Sequence, residues 1–311
     1  MNGGWIDRQM PVGDEIFLDH VGYFAAGLDR AGETLARLVF QVSSVNTQYN
    51  ADDEGELTLS GTSNRLVKLR RGFLEVLAAT SDTPLADRLR AGLGRYAGLH
   101  VVALTHPDMA AQRRRLVADG FAMQEPVNLR RRVPTAEGER VMAYTVLRTG
   151  PDVMPEGRVQ MLTTHTPELF WTPGATEHAN LADGLTDLLV CVSDPVEAAA
   201  RFARFAARPT RRRRDWIELA LDRGRMLFAD AAAVVRLIDG FKPPGMPYIV
   251  GQALRTRSVT AVDRTLRGSG IAPVHADRGL ICIHPSDALG GYLLFHEASV
   301  ADPWSELARR R

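Results

Sequence analysis

One pattern returns four times along the chain, and it limits the fold more than any single motif does. A short apolar strand is followed by a small-residue turn, then an Ala/Leu/Arg-rich helix, then two or three further strands. The copies open with "FLDHVGYFAAGLDRAGETLARLVF", "GLHVVALTHPDMAAQRRRLVADGF", "LTDLLVCVSDPVEAAARFARFAARP" and "YIVGQALRTRSVTAVDRTLRGSG". A unit repeated in this way buries its apolar face against its neighbours. The helices carry apolar residues at i, i+3 and i+4, as in Leu35, Leu38 and Val39, or Ala198, Phe202 and Phe205. Gly120 and the run Gly268–Gly270 supply helix stops, while Gly72, Gly224 and Gly291 sit at strand-to-strand turns. The expected fold class is α+β, built from four βαβββ units. At 311 residues the chain is long for one core, so two domains are expected, 14–178 and 179–300. The stretch "TPGATEHANLADG" between them has the composition of a boundary.

Composition narrows the class of protein. No stretch approaches the ~18 uninterrupted apolar residues of a membrane span, and the first residues lack the apolar segment of a secretory signal. Cys191 and Cys282 lie in apolar runs with no metal-type spacing, which fits a reducing, cytoplasmic setting. The net charge is +1, so nothing global draws the chain to nucleic acid. The arginine clusters at 113–115, 130–132 and 211–214 lack interleaved aromatics and read as solvated helix ends and loop tips.

Two strands break the apolar rule. "FLDHVGYF" carries His20 at its centre, and "RGFLEVLAAT" carries Glu75. A titratable group inside a sheet costs free energy unless something satisfies it, so both mark a candidate site. Period-two alternation puts Leu18, His20 and Gly22 on one face, and Phe73, Glu75 and Leu77 on one face of the other strand. Gly22 leaves room beside His20.

The phrases "LDHVGYF", "GTSNRLVKL", "GFLEVLAAT", "HTPELFW" with "HAN" after it, and "HPSDALGGYLLF" resemble the vicinal oxygen chelate superfamily. More narrowly, the chain is similar to bacterial glyoxalase-like domain proteins, from Phe17 to Glu297. The resemblance implies that the units pair, each pair closing a curved sheet around a cavity. It also implies metal ligands from the opening and closing strands of two facing units. Carried onto this sequence, that set is His20, Glu75, His100 and Gln160, holding one divalent transition metal (Fe, Mn, Ni or Zn) per chain. Gln160 stands where metal-dependent relatives carry a carboxylate.

Glu75 and His165 are then the expected acid–base groups, with Asn64, Arg65, Tyr144 and Trp171 at the substrate. Asp19 reads as an outward residue or a loop partner without a role, and the polar stretch Gln41–Ser60 as a lid or simply a mobile loop. In units three and four the equivalent positions are Thr186, Leu227, Gly251 and Leu294, so no metal site is expected there; His275, His284 and His296 read as turn or strand-end residues. The implied activity is that of a metal-dependent lyase or isomerase acting on a small molecule chelated through vicinal oxygens. An Fe(II) extradiol-type dioxygenase and a metal-free binding protein are the alternatives. The expected partner is a small-molecule substrate, with neither nucleic acid nor membrane, and a homodimer is a possible assembly.

Overall fold

The computed structural model describes residues 6–51, 57–150, 152–277 and 279–308. Its elements run strand, helix, three strands, four times over. Unit 1 comprises β1 (Phe17–Phe24), α1 (Leu28–Arg37), β2 (Asn46–Ala51), β3 (Leu57–Lys68) and β4 (Phe73–Ala79). After α2 (Pro84–Arg95), unit 2 comprises β5 (Gly98–Thr105), α3 (Met109–Ala118), β6 (Val127–Thr135), β7 (Gly138–Arg148) and β8 (Arg158–Thr164). A short α4 (Pro167–Phe170) leads to unit 3, with β9 (Ala182–Cys191), α5 (Pro195–Ala206), β10 (Thr210–Arg212), β11 (Ile217–Ala220) and β12 (Arg225–Ala229). Then α6 (Ala231–Leu237) precedes unit 4, made of β13 (Tyr248–Thr256), α7 (Val259–Gly268), β14 (His275–Asp277), β15 (Leu280–Ile283) and β16 (Tyr292–His296), and α8 (Pro303–Ala308) follows.

The recurring turn before each helix has a local cause in three units. Asp108 accepts from the Ala111 amide, Asp194 from those of Val196 and Glu197, and Ser258 from that of Ala261. Each such cap is worth about 1 kcal/mol. Helix α1 starts at Gly27 without one and is held by its buried face of Leu28, Ala31 and Leu35.

Within each pair the opening strands meet antiparallel, β1 against β5 and β9 against β13. Each opening strand is flanked in parallel by the closing strand of its own unit. A parallel neighbour needs a long crossover, which the helix and the two intervening strands provide. The two curved sheets touch where Ile249 of β13 pairs with Leu99 of β5.

Alternation along the strands sorts side chains into two environments. Leu18, Tyr23, Val102 and Met161 from the first half join Leu188, Val190, Ile249 and Leu254 from the second in one apolar core. The helices cover that core with Leu35, Leu116, Phe202, Phe205 and Leu266. The segment between the halves is tied to unit 1: His178 Nδ1 accepts from the Gln41 amide at 3.0 Å, and Asn180 donates to the Leu38 carbonyl at 2.8 Å. The opposite, concave faces differ between the pairs. In the second pair Leu189, Leu227, Val250 and Leu294 fill the concave side together with Trp304 of α8. In the first pair that side is polar.

Candidate functional site

The concave face of the first pair encloses a cavity of about 150 Å³. Strands β3, β7 and β8 send alternate residues into it, and β1 and β4 contribute His20, Phe73 and Glu75. The stretch 41–60, expected as a lid, forms β2 and the start of β3 instead, and Asn46, Thr47, Gln48 and Tyr49 line the cavity. Its residues 52–56 lie outside the described residues.

His20 is only 3% exposed and stacks on Phe73 with ring centroids 4.1 Å apart. Neighbouring residues of a strand ordinarily face opposite ways. Here Asp19 Oδ1 lies 2.6 Å from His20 Nδ1, because the β1–β5 ladder skips a residue between Leu18 and His20. The resulting bulge turns the two side chains alongside each other. Asp19 is therefore fully buried and in contact with the site, not outward. Arg223 of unit 3 packs behind it and donates to the Leu18 carbonyl; burial lowers the Arg223 pKa to about 10, against the opposing pull of Asp19. The Asp19 carboxylate holds the proton on Nδ1, so Nε2 offers its lone pair to the cavity. Glu75 Oε2 stands 3.8 Å from that nitrogen and Gln160 Nε2 3.4 Å.

Glu75 is well held. Its Oε1 accepts from Asn64 at 2.6 Å and from Gln48 at 3.5 Å, and its Oε2 is 4.0 Å from Arg158. Two arginines share the wall: Arg158, two residues before Gln160, and Arg148, opposite Gln160 in the β7–β8 ladder. Burial lowers both their pKa values, that of Arg148 to about 10, with the charge of Arg158 adding to the effect. Lys68 donates to the Phe170 carbonyl at 2.7 Å, and burial lowers its pKa as well. Burial pushes the Tyr144 phenol up, so it stays protonated and able to donate.

Of the residues expected from sequence, the structure brings His20, Glu75, Gln160, Asn64 and Tyr144 to this cavity. His100 lies elsewhere, sandwiched between Phe24 and Tyr96 with Nε2 donating to the Tyr96 carbonyl at 2.8 Å. The register explains why. His20 pairs with Phe73 and Gly22 with Glu75, while Val101 pairs with Arg158 and Ala103 with Gln160. Val101 is thus the counterpart of His20, and His100 is the counterpart of Asp19. The glycine turns agree, since Gly72 (φ +80°) lies against the Asp19 carbonyl and Gly157 (φ +158°) against that of His100. A Cβ at either glycine would strike that oxygen, so the approach is fixed. A slip of one residue flips the face.

The same correction replaces Thr186 by Asp187, which pairs with Arg225 at the corresponding place in unit 3. His165 bonds Thr145 Oγ1 at 2.9 Å on the outer side, because it neighbours the inward Thr164. Arg65 also faces outward, donating to Leu28 and Ser43 carbonyls and to Asp29. Trp171 packs on Phe170 beneath the cavity wall. Sequence reasoning missed Asp19, Lys68, Arg148 and Arg158. Arg158 was within reach of it, being two residues from Gln160 on the same face.

A divalent centre can be tested against this donor set. His20, Glu75 and Gln160 supply one imidazole, one carboxylate and one neutral amide, and the fourth position is Val101. Among the described residues no group of three or more His, Cys, Asp or Glu is arranged to hold a metal ion. Glu75 is the single carboxylate in the described lining, and it shares the cavity with Lys68, Arg148 and Arg158. A dication would add charge to a cavity already cationic, held by one anionic ligand. The residues do not fit the expected metal centre.

Paired βαβββ units around an open cavity define a protein of the vicinal oxygen chelate fold. The family described as "Glyoxalase-like domain" matches residues 18–206, and the chain belongs to it. Among solved structures, a hypothetical protein from Staphylococcus aureus superposes with a TM-score of 0.63 at 10% identity, covering 91% of this chain and 99% of that one. A mutant 4-hydroxymandelate synthase from Streptomyces coelicolor gives 0.56 at 13% identity, over 94% and 96%. An Mn(II)-bound glyoxalase from Novosphingobium aromaticivorans gives 0.51 at 12% identity, over 91% and 82%. At these identities the likeness is one of fold. No curated protein matches the sequence. Among the described residues no helix is long and apolar enough to cross a membrane.

Proposed function

We propose that this chain is an enzyme of isomerase or lyase type that moves a proton on a small oxygen-bearing molecule in the first cavity, with His20 as the base. The observation that carries this reading is the Asp19–His20 pair, whose Nε2 faces the cavity 3.8 Å from Glu75 with only a long 3.4 Å contact to the Gln160 amide. An imidazole so oriented takes a proton from a carbon beside a carbonyl, and the C–H electron pair moves onto the carbonyl oxygen. The buried Asp19 steadies the imidazolium that forms. Tyr144, protonated and lining the same cavity, donates to the oxyanion. The imidazolium then returns its proton to the neighbouring carbon, completing an isomerisation, or to a departing oxygen, completing an elimination. In the isomerisation Glu75, anchored by Asn64, takes the hydroxyl hydrogen of the adjacent atom and passes it to the former carbonyl oxygen, so that both groups end as they began. Ring cleavage by an extradiol-type iron centre is not favoured, because it calls for a second imidazole where Val101 stands.

The experiment is hydrogen exchange. Small α-hydroxy and α-keto compounds are incubated with the full chain in D2O, and loss of the C–H signal is followed by NMR. Wild type should wash deuterium into at least one compound and His20→Gln should not. If wild type exchanges none of them, or if His20→Gln exchanges equally fast, the reading fails and a binding protein remains.

A further inference from the structure

Arg148 and Arg158 have no task in that proton transfer, yet they are held in an unusual setting. Arg158 precedes Gln160 by two residues on β8, and Arg148 faces Gln160 across the β7–β8 ladder, so the three share one wall. The Nε of each arginine is buried without a hydrogen-bond partner, and so is the Oε1 of Gln160. Among the described residues the Arg148 side chain makes no hydrogen bond or ion pair. The nearest carboxylate to Arg158, Glu75, is 4.0 Å away and already engaged by Asn64 and Gln48. Two half-buried guanidinium groups on one cavity wall, each with its Nε cut off from water, are costly unless an anion meets them. The guanidinium fork matches two oxygens of a carboxylate or a phosphate.

We propose that the substrate carries such an oxyanion, bound by Arg148 and Arg158, which places its reactive carbon at His20. This rests on the proton-transfer reading for the reacting end alone; the anion end stands on the geometry of the arginines. A cavity of about 150 Å³ has room for a small acid or phosphate ester. Arg148 and Arg158 thereby become specificity-determining residues that select against neutral diols and sugars of the same size. Burial of Arg148 and Arg158 lowers their proton affinity, in keeping with sites short of a counter-charge.

Titration calorimetry on the full chain tests this with oxalate and inorganic phosphate, and with ethylene glycol as the neutral probe. At least one anion should bind one per chain, and ethylene glycol should not. Arg148→Met and Arg158→Met should each weaken the anion on the order of 10- to 100-fold, the loss of a charged hydrogen bond. Arg148→Lys should recover part of the loss by restoring the charge without the fork. Tighter oxalate identifies a carboxylate substrate, and tighter phosphate a phosphate ester. Arg148→Met, relieved of an uncompensated cation, should melt no lower than wild type, which separates lost binding from lost folding. No anion binding in wild type, or unchanged binding in both Met variants, overturns the proposal. Anion binding without exchange of any compound sinks the proton-transfer reading and leaves this one standing.

Discussion

Lowering the pH from 7 to 5 should cost this protein stability at His100, beside further losses at His106, His178 and His296, whose pKa values burial also lowers. The His100 ring is 2% exposed and stacked at 4.7 Å on Phe24 and 4.1 Å on Tyr96. Its Nε2–H is committed to the Tyr96 carbonyl. Burial lowers its pKa from 6.5 to about 4, with the hydrogen bond to Tyr96 opposing the shift. The folded state therefore keeps His100 neutral at pH values where the unfolded chain protonates it. The stability this contributes is complete above about pH 6.5 and is lost as the pH falls towards 4. For a shift of this size the loss is about 2 kcal/mol at pH 5 and about 3 kcal/mol at pH 4. Carboxylates titrate in the same range, so the informative quantity is the difference between wild type and His100→Gln. Urea unfolding at pH 7, 6 and 5, read by tryptophan fluorescence, gives that difference. Wild type should be the more stable at pH 7, and its advantage should shrink by about 2 kcal/mol at pH 5. Parallel curves for the two proteins would refute the buried-neutral account of His100. Loss of cavity binding at pH 7, with the fold intact, would put His100 back in the site.

Three other perturbations test the remaining architecture. Asp19→Asn should keep the cavity but release the His20 tautomer, lowering the exchange rate by about 10²- to 10⁴-fold without abolishing anion binding, as NMR and calorimetry would show. Val101→His combined with Gln160→Glu should create divalent metal affinity that wild type lacks, because it adds an imidazole and a carboxylate at the two deficient positions; calorimetry with Mn(II) and Zn(II) that finds wild type and variant equal would refute the register argument. Trp304→Ala should destabilise by about 3–5 kcal/mol, since a fully buried indole fills the second concave face, and denaturant unfolding reads the loss directly.

The four units are readable in the chain itself because their causes are local. Alternation, capping by Asp or Ser, and glycine at the strand turns act over a few residues, so β1 and β4 can be placed without knowing what surrounds them. Glu75 and Gln160 are matched for the same reason: each lies three residues after a turn glycine, Gly72 or Gly157, whose backbone the opening strand touches. The opening strands carry no such marker. Matching histidine to histidine there shifts the alignment by one residue, and a strand's period of two turns that into the wrong face. Only the ladders, with His20 beside Phe73 and Val101 beside Arg158, decide that His100 belongs to the packing and not to the cavity. The charges were decided in the same way. Asp19 reaches His20 through a bulge, Arg223 arrives behind Asp19 from a unit some 200 residues later, and Arg148 meets Gln160 across a hairpin. Electrostatic partnership depends on distance in space, and sequence spacing fixes that distance only within one strand or helix.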